Sequence, residues 1–191
     1  MRLLAFSDLH CDLDAAARLV ELAGEADAVA GVGDFASVHS GLEETLAALR
    51  PIEKPLLLVP GNNETEDALR AAAGSWSTVL HGQEAQVGGV RFFGLGAGVP
   101  VTPWDWSFDL TEEAAAGMLA ACPKDAVLLS HSPPKGHVDK GLGSEAVLRA
   151  AEEKHPRALL CGHIHELWGQ ESQIGDTPVR NLGPTGSILE L

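Results

Sequence analysis

Five apolar runs of strand length recur along the chain, and each is followed closely by side chains that bind metal ions. The runs are Leu3-Leu4-Ala5-Phe6, Ala28-Val29-Ala30-Gly31-Val32, Leu56-Leu57-Leu58-Val59, Ala126-Val127-Leu128-Leu129 and Ala158-Leu159-Leu160-Cys161. The segments after them are Asp8-Leu9-His10, Gly33-Asp34, Gly61-Asn62-Asn63-Glu64, Ser130-His131 and Gly162-His163-Ile164-His165. The runs do not alternate apolar with polar residues, so both faces of each strand must be covered, as in a parallel sheet with crossover helices. In such a sheet the carboxyl ends of the strands share one edge, and ligands bind there. That edge would collect Asp8, His10, Asp34, Asn62, His131, His163 and His165. Imidazole, carboxylate and amide donors in this mixture suit a pair of first-row divalent ions with one carboxylate bridging. Each segment alone is ordinary loop chemistry, and only their recurrence in chain order carries the reading.

The intervening segments read as βα units. Asp12 can cap a helix over Ala15 to Ala23 that Gly24 stops, Leu42 to Leu49 ends before Pro51, and Thr65 to Ala73 follows the third strand. Three successive units imply right-handed crossovers and a parallel half-sheet. Val79-Leu80, Ala85 to Val87 and Val90 to Phe93 then read as short strands of an antiparallel edge or second sheet, the last two joined as a hairpin over Gly88-Gly89. Gly94 to Phe108, with Trp104 and Trp106, is a candidate active-site flap or a hydrophobic lid over the core. Helices over Glu112 to Ala121 and Ser144 to Glu153 flank an irregular loop, Ser132 to Leu142, that carries His137 and should line the pocket. Leu167 to Glu171, Val179 to Leu182 and Ser187 to Leu189 are expected to close the chain as antiparallel strands. Two β-sheets flanked by helices, in one domain over residues 1–191, is the architecture this pattern predicts.

Charge narrows the partners. The 27 acidic against 13 basic residues give a net charge of −14, which argues against a nonspecific polyanion binder and against extended nucleic acid. A small substrate held by metals fits better. Cys11, Cys122 and Cys161 are odd in number and lack metal-binding spacing, as expected of reduced thiols. Met1-Arg2 runs straight into the first strand, and no apolar stretch reaches the roughly 18 residues that cross a bilayer, so a cytoplasmic, non-membrane protein is expected. An exposed sheet edge or the Trp-bearing loop offers a route to a homo-oligomer.

The ordered set Asp-x-His, Gly-Asp, Gly-Asn-x-Glu, His and Gly-His-x-His resembles the calcineurin-like metallophosphoesterases from Asp8 to His165. Gly33-Asp34-Phe35, His131 to His137 and Gly162 to Glu166 look most like the small, soluble phosphodiesterase branch. The resemblance implies a four-layer β-sandwich flanked by helices, with Asp8, His10 and His165 on one metal, Asn62, His131 and His163 on the other, and Asp34 bridging. It implies two divalent transition-metal ions (Mn, Fe, Zn, Ni or Co) and a small phosphoester substrate, attacked by a metal-bridging hydroxide. His163 and Asn62 would bind and polarise the phosphate.

The chain departs from the family pattern at Asn63, where a His usually contacts the phosphate and protonates the leaving oxygen. An amide can donate a hydrogen bond there but cannot transfer a proton, so general-acid help worth ~10²- to 10⁴-fold is missing. Glu64 should support this loop, and His39 and His137 are the substitutes to examine. Phosphodiesters or activated aryl esters are therefore expected over unactivated monoesters. The alternative is a catalytically weak metal-binding scaffold or interaction module of the same fold, which Asn63 favours and the full set of donors disfavours. Trp104 and Trp106 are candidates for stacking on an aromatic group, whereas Trp168 reads as core and His155 as a helix C-terminal cation.

Overall fold

The computed structural model describes residues 1–191. β1 (Arg2–Phe6), β2 (Ala28–Val32) and β3 (Leu56–Val59) lie parallel and are joined by α1 (Leu13–Ala23) and α2 (Leu42–Leu49). Asp12 accepts a hydrogen bond from the Ala15 N–H and so caps α1, and Thr65 caps α3 (Glu66–Ala73) in the same way. β4 (Thr78–Val79) then adds to β3 in parallel, and β11 (Ser187–Glu190) pairs antiparallel with β1, giving the order β11-β1-β2-β3-β4.

The second sheet begins with the hairpin of β5 (Gln83–Val87) and β6 (Val90–Leu95). α4 (Glu112–Leu119) crosses to β7 (Val127–Ser130), and α5 (Glu145–Lys154) crosses to β8 (Ala158–Cys161). β9 (Glu171–Ile174) and β10 (Thr177–Asn181) complete the order β5-β6-β7-β8-β10-β9.

The unbroken apolar runs are explained by three separate cores. Successive strand side chains point to opposite faces. Leu4, Phe6, Val29, Leu56 and Leu58 face α1 to α3, whereas Leu3, Ala5, Ala30, Leu57 and Val59 face the second sheet. Val127, Leu129 and Leu160 return that contact, while Leu128, Leu159 and Cys161 face α4 and α5. The molecule is thus an α/β/β/α sandwich. Each buried Leu or Phe contributes about 1.5–3 kcal/mol, so the layer between the sheets fixes the ends of β1, β2 and β3 against those of β7 and β8.

Three expectations about the strands are corrected. β4 extends the parallel sheet instead of joining an antiparallel one, because Leu80 N donates to the Leu58 carbonyl directly beyond the β3 pairing. Leu167 to Glu171 is not a strand: a 3-10 turn spans His165–Leu167, and pairing begins only at Glu171. β10 lies parallel to β8 and antiparallel to β9, so only two of the closing pairings are antiparallel. No helix is long and apolar enough to cross a membrane.

Candidate metal centre

The carboxyl ends of β1, β2, β3, β7 and β8 bring all seven proposed donors together. Asp8, His10, Asp34 and His165 offer ligand atoms within 4.8 Å of one another, as do Asp34, His131 and His163, so Asp34 belongs to both groups. Its two oxygens face different partners: Oδ2 lies 3.5 Å from His10 Nε2, and Oδ1 lies 3.4 Å from His131 Nε2. Asn62 completes the second group, with Oδ1 3.2 Å from His131 Nε2 and 3.0 Å from His163 Nδ1.

Such convergence requires unusual backbone. Asp8, His10, Asp34 and His163 all have φ between 45° and 70°, the left-handed region that non-glycine residues seldom occupy, and such strain gathers at functional sites. The glycines before the ligands answer a different demand, close approach. A Cβ on Gly61 would sit 2.1 Å from Asp34 Oδ1, and one on Gly33 would sit 2.3 Å from His131 Nδ1.

The surrounding hydrogen bonds aim each donor. His10 Nδ1 faces the Ala36 carbonyl at 3.2 Å and His131 Nδ1 faces that of Val32 at 2.9 Å. With the Nδ1 proton donated outward, each neutral ring turns its Nε2 lone pair inward. Asn62 Nδ2 donates to Ser107 Oγ at 3.0 Å, which turns Oδ1 toward the imidazoles. Lone pairs of His131, Asn62 and Asp34 therefore meet at a point that repels itself unless a proton or a cation lies among them. The residues fit a divalent ion on this ground.

Electrostatics say the same. Asp8, Asp34 and Glu64 are buried, and no Lys or Arg lines the cavity of about 490 Å³ that opens over the cluster. Burial opposes a charge on His131, yet the adjacent Asp34 carboxylate outweighs it and holds the imidazole up at about 9. Burial alone would raise Asp34, but His131 and His10 hold it well below the usual carboxylate range. His163 is pushed down to about 4 by burial and by His131. Without metal, a protonated His131 supplies the compensating charge that a cation would otherwise provide.

The remaining sequence candidates divide. Glu64 accepts from the Asp34, Ala36 and Gly61 N–H groups at 2.9, 3.0 and 2.7 Å, tying two ligand loops together, although burial and Asp34 push its pKa up to about 7. Trp104 and Trp106 line the cavity. Asn63 also reaches it but is bonded at both ends: Nδ2 donates to Asp34 Oδ2 at 2.8 Å and Oδ1 accepts from Val38 N at 2.9 Å. It thus holds Asp34 from the cavity wall. His39 and His137 do not line the cavity, because His39 Nε2 bonds the Trp106 carbonyl and His137 Nδ1 bonds Ser172 Oγ at 2.7 Å.

Four residues escaped the sequence reading. Trp168, expected in the core, is 38 % exposed; its Nε1 donates to Asp8 Oδ2 at 3.1 Å and its ring lies 4.6 Å from that of His165. Ser7 donates to the same oxygen, while Oδ1 of Asp8 accepts from the His163 N–H at 3.0 Å and faces His165 Nε2 at 3.8 Å. Ser107 aims Asn62, and the buried Asn181 amide donates to the Gly162 and Ile164 carbonyls on either side of His163. A serine directly before a ligand Asp was a readable hint, but nothing in the spacing pairs Trp168 with Asp8, 160 residues away.

The calcineurin-like phosphoesterase superfamily domain matches residues 1–189 of the sequence. The chain belongs to this superfamily. Its members are metal-dependent, and this chain has a cluster of Asp and His side chains that could hold a metal ion. No curated protein matches the sequence. Among solved structures, the protein TT1561 of Thermus thermophilus is similar with a TM-score of 0.77 and 20% identity, over 96% of this chain and 90% of that one. A dimetal phosphatase from Danio rerio gives 0.68 and 13%, over 97% and 88%. The phosphopantetheinyl hydrolase PptH from Mycobacterium tuberculosis gives 0.65 and 14%, over 95% and 89%. At these identities the likeness is one of fold.

Proposed function

We propose that the protein is a dinuclear metal-dependent phosphoesterase that prefers phosphodiesters. The observation that carries this reading is Asp34, whose two oxygens face separate groups of donors. Asp8, His10 and His165 would hold one ion, Asn62, His131 and His163 the other, and Asp34 both. The fold likeness to a protein described as a dimetal phosphatase supports two ions. Bound, the ions supply Lewis acidity, a water made nucleophilic near neutral pH and charge to offset the phosphoryl oxygens.

The chain's own part is positional. Val32, Ala36 and Ser107 fix the direction of His131, His10 and Asn62, and Glu64 holds the β2 and β3 loops at the separation the cluster needs. Asn63 keeps Asp34 in place and has no proton to give, so the leaving group must depart with little help. Esters with stable leaving groups, and diesters over unactivated monoesters, are the substrates such a site serves. The free thiols of Cys11, Cys122 and Cys161 support a reducing, cytoplasmic setting.

The bonded Asn63 also favours a second reading, a metal-binding module with weak catalysis. Hydrolysis of bis-p-nitrophenyl phosphate and p-nitrophenyl phosphate by metal-stripped protein, with Mn, Ni, Co or Zn restored, separates the two. Metal-dependent diester turnover that Asp34→Asn abolishes is expected. Metal binding without turnover of either ester would instead establish the module, and faster monoester turnover would sink the diester preference.

A further inference from the structure

The apolar surface of this acidic chain is concentrated at one place. Of six large hydrophobic side chains that are exposed, Trp104 and Leu142 line the cavity, Val101 shares the Trp104 loop, Val38 follows cavity-lining Ser37, and Trp168 packs on His165. Exposed apolar groups collected around a charged cleft mark a surface that meets a ligand. Trp104 and Trp106 stack on each other with ring centroids 5.7 Å apart and planes 14° apart, and Trp104 is 50 % exposed.

The pair is built in, not loosely hung. Asp109 accepts from the Thr102 N–H and O–H and from the Ser107 hydroxyl, closing the loop on itself. Ser107 Oγ in turn accepts from Asn62 Nδ2, and Phe108 N donates to the Asn62 carbonyl, so the loop is bonded to one of the proposed metal ligands. His39 braces Trp106 from the side, its ring edge-on at 85° and its Nε2 on the Trp106 carbonyl. An aromatic face is therefore held in fixed relation to the point where a phosphate would bind.

Charge restricts what that phosphate can carry. No Lys or Arg is in the lining, and Lys140 is engaged at 3.0 Å by the rim residue Glu166, so the lining offers a second phosphate no cation of its own. We infer that the Trp104-Trp106 pair is a stacking platform selecting esters of a single phosphate that bear a flat aromatic group. This rests on the phosphoesterase reading above and names its substrate class. The cavity of about 490 Å³ has room for such a ligand.

Non-hydrolysable phosphonates test the platform apart from turnover. Calorimetric titration of the metal-loaded protein would compare phenylphosphonate and 9-(2-phosphonomethoxyethyl)adenine with methylphosphonate. The two aromatic ligands are expected to bind roughly 5- to 150-fold tighter, the range that stacking on an aromatic side chain supplies. Trp104→Ala should remove that advantage and leave methylphosphonate affinity in place, while Trp104→Phe keeps part of it. Whichever aromatic ligand gains more identifies an aryl or a nucleobase source. Equal affinity for all three, an equal loss for all three in Trp104→Ala, or binding of none would overturn the inference. An aromatic preference that survives in a protein without ester turnover would support the platform and sink only the esterase reading.

Discussion

Around Asp34 Oδ1, His131 is fully buried and Asn62 nearly so, and the atoms they turn away from the cluster are bonded to Val32 and Ser107. Around Asp34 Oδ2, Asp8 is buried too, but the side chains of His10 and His165 are 26 % and 45 % exposed. The difference follows from the fold. The closed half sits where β3, β7 and β8 end between the two sheets, whereas the open half is made by the loop after β1 and the 3-10 turn of His165–Leu167. Ligands fixed by packing bind an ion without first losing conformational freedom, and exposed ligands must be ordered as they bind. The closed half should hold its ion more tightly, and the open half should exchange.

The largest effect expected is the collapse of this contrast. Asp34→Asn removes the charge common to both halves and should abolish binding of both ions and all turnover, as read by metal content and ester hydrolysis. Gly61→Ala should approach it, since the added methyl would lie 2.2 Å from Asp34 N as well as against its carboxylate, and the melting temperature should fall too. Next come variants that separate the halves. His165→Ala should leave one ion per chain, while His131→Ala should lose the tighter ion and cost about 1–3 kcal/mol in the metal-free protein, because Asp34 and the Val32 carbonyl lose a buried partner. Equal stoichiometry and equal affinity in the two variants would break the comparison.

The ligands of both halves were legible in sequence. They follow buried strands, and an apolar run with both faces covered ends where a parallel sheet must end, so Asp8, Asp34, Asn62 and His131 were placed by strand position alone. The spans of β2, α2, β3 and β8 agree with the sequence reading for the same reason. The open half depends on a short 3-10 turn and on Trp168, whose bond to Asp8 exists only after the ends of the chain meet. The direction of β10 and the bonding of Asn63 and His137 were also hidden. Each is decided by a partner distant in sequence, and local periodicity carries no record of it.

A smaller effect tests the open half at that hidden contact. Trp168→Phe keeps a ring against His165 but removes the N–H that holds Asp8 Oδ2. Supporting hydrogen bonds of this kind are worth about 10- to 100-fold in metal affinity. Titration with Mn should show that loss in the weaker class of site alone, with the tighter class unchanged. A uniform loss would mean that Trp168 serves packing and that the halves are not independent.

The smallest effect concerns how the closed half replaces a missing cation. His131 is held up at about 9 against an unfolded value near 6.5, so protonation stabilises the metal-free fold fully below pH 6.5 and is lost as pH rises through 9. His163 has the opposite sign: lowered to about 4, it contributes fully above pH 6.5 and loses that contribution only as pH falls through 4. Glu64, raised from 4.5 to about 7, contributes fully below pH 4.5 and loses that contribution as pH rises through 7. His131 therefore loses its contribution between pH 7 and 9, in the same direction as Asp8, whose carboxyl burial raises, and the melting temperature of chelated protein should fall there by on the order of 5 °C. Metal ligands bind as neutral imidazoles, so in Mn-loaded protein a rising pH should strengthen binding and reverse the slope. Parallel slopes with and without metal would show that His131 carries no proton in the metal-free state, and that the closed half balances Asp34 in some other way.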